Sequence, residues 1–140
     1  MINAVIVGMG RWGQFLVESV QGKSDKIKFV GGRTRTTSET ASAFADKHGF
    51  SLTNSYEELL ARDDVDAVVL ASPHSTHAEQ VQMAAKAGKH VLCEKPFTLD
   101  RASAEASVKA CRDAGLVLGV AHNRRFYPAY IDLQELVRSG

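Results

Sequence analysis

The chain has 140 residues, a length typical of one domain, and its 44% hydrophobic and 24% charged content is that of a globular protein. The formal net charge is +1 and the charges are interspersed, which argues against nucleic-acid binding because such proteins concentrate basic residues. We expect no signal peptide and no membrane-spanning segment, since the sequence has neither a basic leader nor a sufficiently long apolar run. Two cysteines do not make a disulfide framework, so a cytoplasmic location is expected.

Short apolar runs alternate with segments of helical periodicity along the whole chain. Strands are predicted at residues 4–7, 27–30, 67–70, 90–93 and 117–121. Helices are predicted after the first strand and at residues 38–48, 55–60, 76–87, 100–114 and 130–137. This rhythm is typical of parallel strands joined by right-handed crossovers, so we predict an α/β fold with a doubly wound parallel sheet of about six strands and flanking helices.

The pattern also makes predictions about helix faces and helix ends. The first helix is expected to carry on one stripe Phe15, Leu16, Ser19 and Val20. The segments from Ser55 and from Thr76 have the spacing of a capping box, in which a hydroxyl and a carboxylate cap the start of a helix. Asp100 is expected to cap a helix whose inward residues are Ala104, Val108 and Cys111.

A glycine-rich segment lies between the first predicted strand and the first predicted helix. It consists of Gly8, Met9, Gly10, Arg11, Trp12 and Gly13. In this context the first glycine permits a tight turn, the second leaves space for a pyrophosphate, and the third lets helix and strand pack closely. The N-terminus of the helix then offers free N–H groups to phosphates. The sequence therefore predicts a Rossmann-type domain that binds a nicotinamide dinucleotide; a tight turn that binds nothing is the alternative.

The residues after the second strand bear on the choice between NAD and NADP. An NAD-preferring domain usually has an acidic residue here, which accepts hydrogen bonds from the adenosine ribose. This chain has no carboxylate in the segment, which consists of Gly31, Gly32, Arg33, Thr34 and Arg35. Two guanidinium groups pair well with a phosphate, and the glycines are expected to leave room for it, so NADP is predicted to be preferred over NAD. The alternative is that both arginines are solvated surface charges.

Glu94, Lys95 and Pro96 directly follow a buried strand, at the edge where open α/β sheets bind ligands. Lys95 is a candidate catalytic residue, because a lysine there is suited to hydrogen-bond a substrate hydroxyl and share its proton. Glu94 would orient the lysine or balance its charge. A surface salt bridge is the alternative.

Histidine and cysteine residues are two further candidates, for a metal site and for a reactive thiol. His74 and His77 lack a third ligand nearby, so no metal site is predicted. Cys93 is interpreted as a small buried residue that ends a strand, in preference to a reactive thiol.

The glycine loop and three further segments resemble the glucose–fructose oxidoreductase / inositol dehydrogenase family (Gfo/Idh/MocA). These segments are residues 71–77, 87–96 and 123–126, which read ASPHSTH, AGKHVLCEKP and NRRF. The second of them is highly specific, and the similarity covers essentially the whole chain. Members of the family are NAD(P)-dependent oxidoreductases that act mostly on sugars, polyols and related carbonyl compounds.

The resemblance implies roles for individual residues. Lys95 matches the catalytic lysine of the family, and Glu94 matches a residue that contacts the cofactor ribose. Arg124 lies where the chain turns towards the substrate side, and it is also expected to contact the cofactor. The loop that lines the nicotinamide half of the cofactor is matched by Ser72, Pro73, His74 and His77.

The family also has a C-terminal domain that carries most of the substrate pocket and the dimer contact. We therefore expect residues 1–140 to be the NAD(P)-binding domain, without that second domain and inactive alone as a dehydrogenase. A full-length form is expected to be a homo-oligomer acting on a sugar-like or polyol-like small molecule. The alternative is a non-catalytic, nucleotide-sensing module of the same fold, against which the presence of Lys95 argues.

Overall fold

The computed structural model describes residues 1–36 and 38–140. The strands are β1 (Ile2–Val7), β2 (Ile27–Arg33), β3 (Ser51–Thr53), β4 (Ala67–Leu70), β5 (His90–Cys93) and β6 (Leu118–Val120). The α-helices are α1 (Arg11–Val20), α2 (Glu39–His48), α3 (Tyr56–Leu60), α4 (His77–Lys86), α5 (Arg101–Asp113) and α6 (Pro128–Ser139). Two short 3₁₀ turns, His74–Thr76 and Asn123–Phe126, precede α4 and α6.

The strands form one parallel sheet of six strands in the order β3-β2-β1-β4-β5-β6. The chain winds outwards from β1 in one direction and then from β4 in the other, so the strand order reverses between these two central strands. Open sheets of this kind bind ligands outside the carboxyl ends of the strands, at the reversal point. The predicted doubly wound, Rossmann-type sheet of about six strands is confirmed.

The core consists of two apolar layers, one on each face of the sheet. Val5 and Val7 of β1 belong to the layer beneath α3, α4 and α5. Ala4 and Ile6 belong to the opposite layer, beneath α1 and α2. Successive residues of β1 are therefore buried on alternate faces, which explains why this strand is a continuous apolar run.

Three helices begin with a side-chain cap. Ser38 accepts a hydrogen bond from the backbone N–H of Ala41 at the start of α2, and Ser55 accepts one from Glu58 at the start of α3. Asp100 accepts hydrogen bonds from the backbone and hydroxyl of Ser103, which lower the pKa of the Asp100 carboxyl. By contrast, α1 begins at Gly10 without a side-chain cap. The first-turn N–H groups of α1 are thus left for another acceptor.

Strand β2 is longer than the sequence predicts. It continues through Gly31 and Gly32 to Arg33, because these residues pair with the unpredicted short strand β3. A Cβ added at Gly31 would lie 2.6 Å from Nη1 of Arg62, and one added at Gly32 would lie 2.9 Å from Cδ2 of Leu52. The expectation that these glycines leave room for a phosphate is therefore wrong, since side chains already fill the space.

Two predicted helix faces need correction. On α1, Leu16 and Val20 pack against the core as predicted, but Phe15 is 53% exposed, Ser19 is also exposed, and the fully buried residue is Val17. On α5, Cys111 is buried as predicted, but Val108 is 37% exposed and Ser107 is fully buried, its hydroxyl donating to the carbonyl of Ser103. A satisfied hydroxyl can be buried, which the apolar pattern does not reveal.

The capping boxes are confirmed only in part. Ser55 caps α3, but the carboxylate of Glu58 accepts a hydrogen bond from the hydroxyl of Thr53 and does not return to the Ser55 backbone. Thr76 makes no side-chain cap at α4. Its hydroxyl donates instead to the Pro73 carbonyl within the preceding 3₁₀ turn.

Helix α6 confirms the helix predicted from the spacing of Tyr130, Leu133, Leu136 and Val137. All residues of α6 are exposed. The exposed fraction of its large hydrophobic side chains ranges from 41% at Ile131 to 74% at Val137. Among the described residues, no helix combines the length and apolarity needed to cross a bilayer.

The start of α1 generates a prediction about stability. A Cβ at Gly13 would lie 1.9 Å from the carbonyl oxygen of Gly8, whereas a Cβ at Gly10 would meet nothing within 4 Å. Gly13→Ala is therefore expected to lower the free energy of unfolding by about 1–3 kcal/mol or more, because the new methyl group overpacks the turn. Gly10→Ala, the matched control, should change it by less than about 0.5 kcal/mol. Equal midpoints for both variants in urea unfolding would contradict this account of the turn.

Candidate functional site

The three glycines of the loop differ in what the fold itself requires of them. Gly8 has φ +102°, and a Cβ there would lie 2.5 Å from the Ala71 carbonyl oxygen. Gly13 is closed by the Gly8 carbonyl. Gly10 has ordinary backbone angles, φ −70° and ψ 178°, and open space in front of it. The fold needs glycine at positions 8 and 13, whereas nothing within 4 Å excludes a side chain at position 10.

The other members of the loop lie in different surroundings. Met9 is 6% exposed and packs in the core layer with Val17, so only its backbone lies in the loop. Arg11 is exposed on the first turn of α1. The loop therefore presents to solvent the open N-terminus of α1, a guanidinium group and the ring of Trp12, which is 42% exposed.

A hydrogen bond joins the glycine loop to the end of β5. The indole Nε1–H of Trp12 donates to Oε1 of Glu94 over 2.7 Å. The backbone N–H of Lys95 donates to Oε2 of the same carboxylate over 3.2 Å. Trp12 also stacks on Phe15, with ring centroids 5.0 Å apart. No signal in the sequence predicts the bond between Trp12 and Glu94, because the two residues are 82 positions apart and belong to two separate motifs.

Lys95 is exposed, whereas Glu94 is only 8% exposed. In the described part of the chain, the ion pairs of lysine and arginine join Arg62 to Asp64, Arg101 to Glu105 and Lys109 to Asp113. The alternative interpretation of Lys95 as half of a salt bridge with its neighbour thus has no support here.

Lys95 stands where two clefts meet. The Trp12 cleft has a volume of about 440 Å³ and is lined by Trp12, Ala71, Ser72, Glu94, Lys95, Asn123, Arg124 and Tyr127. The Tyr130 cleft has a volume of about 550 Å³ and is lined by Lys95, Ala121, His122, Asn123, Arg124, Arg125 and Tyr130. The two clefts share the side chains of Lys95, Asn123 and Arg124. The structure thus brings together five residues singled out in the sequence, namely Trp12, Ser72, Glu94, Lys95 and Arg124.

The residues after β6 contribute more to these clefts than the sequence suggests. Of the segment 123–126, only Arg124 was expected at the site, yet Asn123 and Arg125 also line a cleft. Tyr127 and Tyr130 complete the walls. Aromatic residues at this spacing are more typical of the apolar face of a helix, so the pattern alone does not identify the two tyrosines as lining a cleft.

The loop after β4 is divided between surface and interior. Pro73 and His74 are exposed, whereas His77 is 1% exposed and lines neither cleft. The two ring nitrogens of His77 lie 2.9 Å from the carbonyl oxygens of Ser72 and Pro96. A neutral imidazole donates through one nitrogen and a doubly protonated one through both. His77 thus lies between the loop after β4 and the loop that carries Lys95, and as a neutral imidazole it donates to one of these two carbonyls.

The predicted phosphate-binding residues lie at the end of β2. Arg33 is partly buried and donates from Nε to the Asn54 carbonyl over 3.3 Å, while Arg35 is exposed. The hydroxyl of Thr34 donates to the Thr36 carbonyl. A smaller cleft of about 180 Å³, the Arg33 cleft, is lined by Arg33, Tyr56, Glu57, Thr76, Glu79, Gln80 and Met83. Arg33 thus lines a cavity that the acidic residues Glu57 and Glu79 also line.

Cys93 is fully buried, and this burial together with the nearby Glu94 carboxylate raises the pKa of its thiol to about 12. The thiol stays protonated at neutral pH, so the prediction of a small buried residue is confirmed. In the described residues, no three side chains of His, Cys, Asp and Glu are grouped to hold a metal ion.

The comparisons with known proteins agree with this geometry. The profile of an oxidoreductase family with an NAD-binding Rossmann fold, Gfo/Idh/MocA, matches residues 2–122. Among curated proteins, 1,5-anhydro-D-fructose reductase from Ensifer adhaerens is 34% identical over 139 residues, covering 94% of this chain and 42% of that protein.

Solved structures show the same similarity. Scyllo-inositol dehydrogenase from Lactobacillus casei, with bound cofactor NAD(H) and scyllo-inositol, has a TM-score of 0.90 at 26% identity, covering 100% of this chain and 42% of the other. A 3-ketoreductase from Actinomadura kijaniata in complex with NADP has a TM-score of 0.88 at 28% identity, covering 99% and 44%.

The chain spans about two fifths of the length of these relatives. The profile match nevertheless covers most of the chain, and the strand order is that of a Rossmann sheet. This chain therefore belongs to the Gfo/Idh/MocA oxidoreductase family, as the motifs predict, and contains the NAD-binding Rossmann fold of that family.

Proposed function

We propose that residues 1–140 are the cofactor-binding domain of an oxidoreductase that transfers hydride between a nicotinamide dinucleotide and a sugar, polyol or related carbonyl or hydroxyl compound. The observation that carries the proposal is Gly10, a glycine that the fold does not need, facing open space at the uncapped start of α1. A pyrophosphate seated there would accept hydrogen bonds from the first-turn N–H groups.

The sheet gives the two halves of an extended dinucleotide separate places. Arg33 ends β2 and Glu94 follows β5, and these strands are three steps apart, on opposite sides of the glycine loop. At about 4.8 Å per strand, the span is roughly 14 Å. We place the adenosine half beside the Arg33 cleft and the nicotinamide half in the Trp12 cleft.

When bound, the cofactor supplies the hydride chemistry, and the residues of the chain orient the reactants and handle the proton. Glu94 is proposed to hold the ribose of the nicotinamide half. The Lys95 ammonium, on the shared wall of the two clefts, is proposed to exchange a proton with the reacting oxygen of a substrate in the Tyr130 cleft. Arg124 lines the same wall and would contact the cofactor.

The proposal extends to NADP as the preferred cofactor. The end of β2 carries guanidinium groups and no carboxylate, and Arg33 is held at the edge of its cleft by the Asn54 carbonyl. A 2′-phosphate would pair with Arg33 or Arg35. The space for that phosphate lies beyond the end of the strand, because the positions of Gly31 and Gly32 are filled.

The first prediction is that the chain binds NADPH. Trp12 is the only tryptophan of the sequence, so its emission should be quenched, or transferred to the nicotinamide, on titration. Gly10→Leu should weaken binding at least tenfold, because the new side chain occupies the space in front of the α1 N-terminus. Ala102→Leu, which places the same leucine side chain at an exposed position of α5, is the control. A flat titration of the folded native chain up to millimolar NADPH would refute the proposal.

The second prediction concerns cofactor choice. A charge-assisted contact with a phosphate contributes about 1.5–3 kcal/mol, so NADPH should bind about ten- to a hundredfold more tightly than NADH. Solvent screening at Arg35, which is exposed, and at Arg33, which is only partly buried, favours the lower end. The double variant Arg33→Ala and Arg35→Ala should weaken NADPH and spare NADH, whereas Arg112→Ala on α5 should change neither. Equal dissociation constants of the native chain for the two cofactors would refute the preference.

The third prediction is that residues 1–140 alone show no meaningful dehydrogenase turnover. Alignment of the substrate with the cofactor accounts for several kcal/mol of a hydride-transfer barrier. The remaining length of the relatives, about three fifths, has no counterpart in these residues, and we propose that it supplies the facing wall. The test is incubation with NADP and a panel of sugars and polyols. Robust NADPH production that disappears in Lys95→Ala would mean that these residues already form a complete site.

A further inference from the structure

Trp12 connects the glycine loop to the segment after β5 through one hydrogen bond. It is the second residue of α1, two positions after the glycine that faces the proposed pyrophosphate, and its indole N–H reaches Glu94, directly after β5, over 2.7 Å. Because the acceptor is the carboxylate of Glu94, the hydrogen bond is charge-assisted and stronger than a neutral one.

The carboxylate of Glu94 depends on this bond for its orientation. Glu94 is 8% exposed, and a carboxylate so deeply buried needs hydrogen-bond partners. Oε2 accepts from the backbone of Lys95, and Oε1 accepts from Trp12. The hydroxyl of Ser72, across the Trp12 cleft, donates instead to Oε1 of Gln80. Among the described residues, Trp12 is therefore the side-chain donor that fixes the free end of Glu94.

Packing alone does not account for Trp12. The residue is 42% exposed, its ring stacks on Phe15, and Phe15 is itself 53% exposed. Neither ring belongs to a core layer. An indole N–H is a donor only, and here it is directed at a buried carboxylate on the wall of the Trp12 cleft.

We propose that Trp12 is a positioning residue: its indole N–H orients the Glu94 carboxylate and so determines how tightly the nicotinamide half of the cofactor is held, without affecting the adenosine half. The inference rests on the proposed function, since Glu94 is taken there to hold the ribose of the nicotinamide half. It predicts a selective effect, because loss of the indole N–H frees the carboxylate and leaves the glycine loop intact.

The test compares Trp12→Phe with the native chain by calorimetric titration of two ligands, NADPH and ADP. Phenylalanine keeps a ring that stacks on Phe15 and removes the donor. NADPH is expected to bind about tenfold more weakly to the variant, the loss of a hydrogen bond to a charged group. ADP, which has the adenosine and pyrophosphate but no nicotinamide half, should bind within about twofold of native. Phe15→Leu, which disturbs the stacking and keeps the donor, should leave both affinities within about twofold.

A double-mutant cycle separates positioning from any other role of the ring. In a Glu94→Ala background, Trp12→Phe should change NADPH affinity less than twofold, because the carboxylate that it orients is gone. An undiminished tenfold loss in that background would overturn the inference. Equal weakening of NADPH and ADP would do so as well, since Trp12 would then act by shaping the glycine loop.

One further measurement needs no substitution of Trp12. The single indole N–H of the ¹⁵N-labelled native chain should exchange slowly with solvent, and its resonance should shift in Glu94→Gln. Fast exchange and an unchanged resonance would overturn the inference. If Trp12→Phe binds NADPH as tightly as the native chain does, the inference is overturned and the proposed function stands. If the native chain itself does not bind NADPH, the proposed function is overturned and the inference with it.

Discussion

The close approach of α1 to the two central strands is the constraint on which the rest of the site depends. Gly13 lies against the carbonyl of Gly8, and Gly8 lies against the carbonyl of Ala71 at the end of β4, so that no side chain fits at either position. The helix therefore starts directly above the reversal point of the sheet. This placement directs the open first turn towards the ligand edge and brings Trp12 within hydrogen-bond distance of Glu94.

A second set of contacts holds the loops after β4 and β5 together without ion pairs. His77 lies between the carbonyls of Ser72 and Pro96, and the buried hydroxyl of Tyr56, whose pKa is raised by burial, donates to the carbonyl of Gln80 and so joins α3 to α4, the helix that begins at His77. These are buried polar groups with their partners satisfied, which rigidify a structure more than exposed charges do. The buried ring of His77 thus contacts the segment that carries Lys95 from the interior of the protein, whereas Lys95 itself is exposed.

The sequence predicted those features that depend on local pattern. Apolar runs predicted the strands β1, β4 and β5, and the spacing of three glycines predicted the loop. The course of β2 past Gly31 and the three-residue β3 were not predictable, because both depend on pairing between strands far apart in sequence. For the same reason the bond from Trp12 to Glu94 and the contribution of Tyr127 and Tyr130 to the clefts have no local signature.

The shared wall between the Trp12 cleft and the Tyr130 cleft has a consequence for inhibitor chemistry. Lys95, Asn123 and Arg124 belong to both cavities. If the Trp12 cleft holds the nicotinamide and the Tyr130 cleft the substrate, as proposed, a molecule that joins a nicotinamide-like group to a polyol-like group by a short linker would occupy both cavities at once. Such a bisubstrate compound gains effective concentration from its linkage, and its optimal linker length would report the distance between the two bound partners.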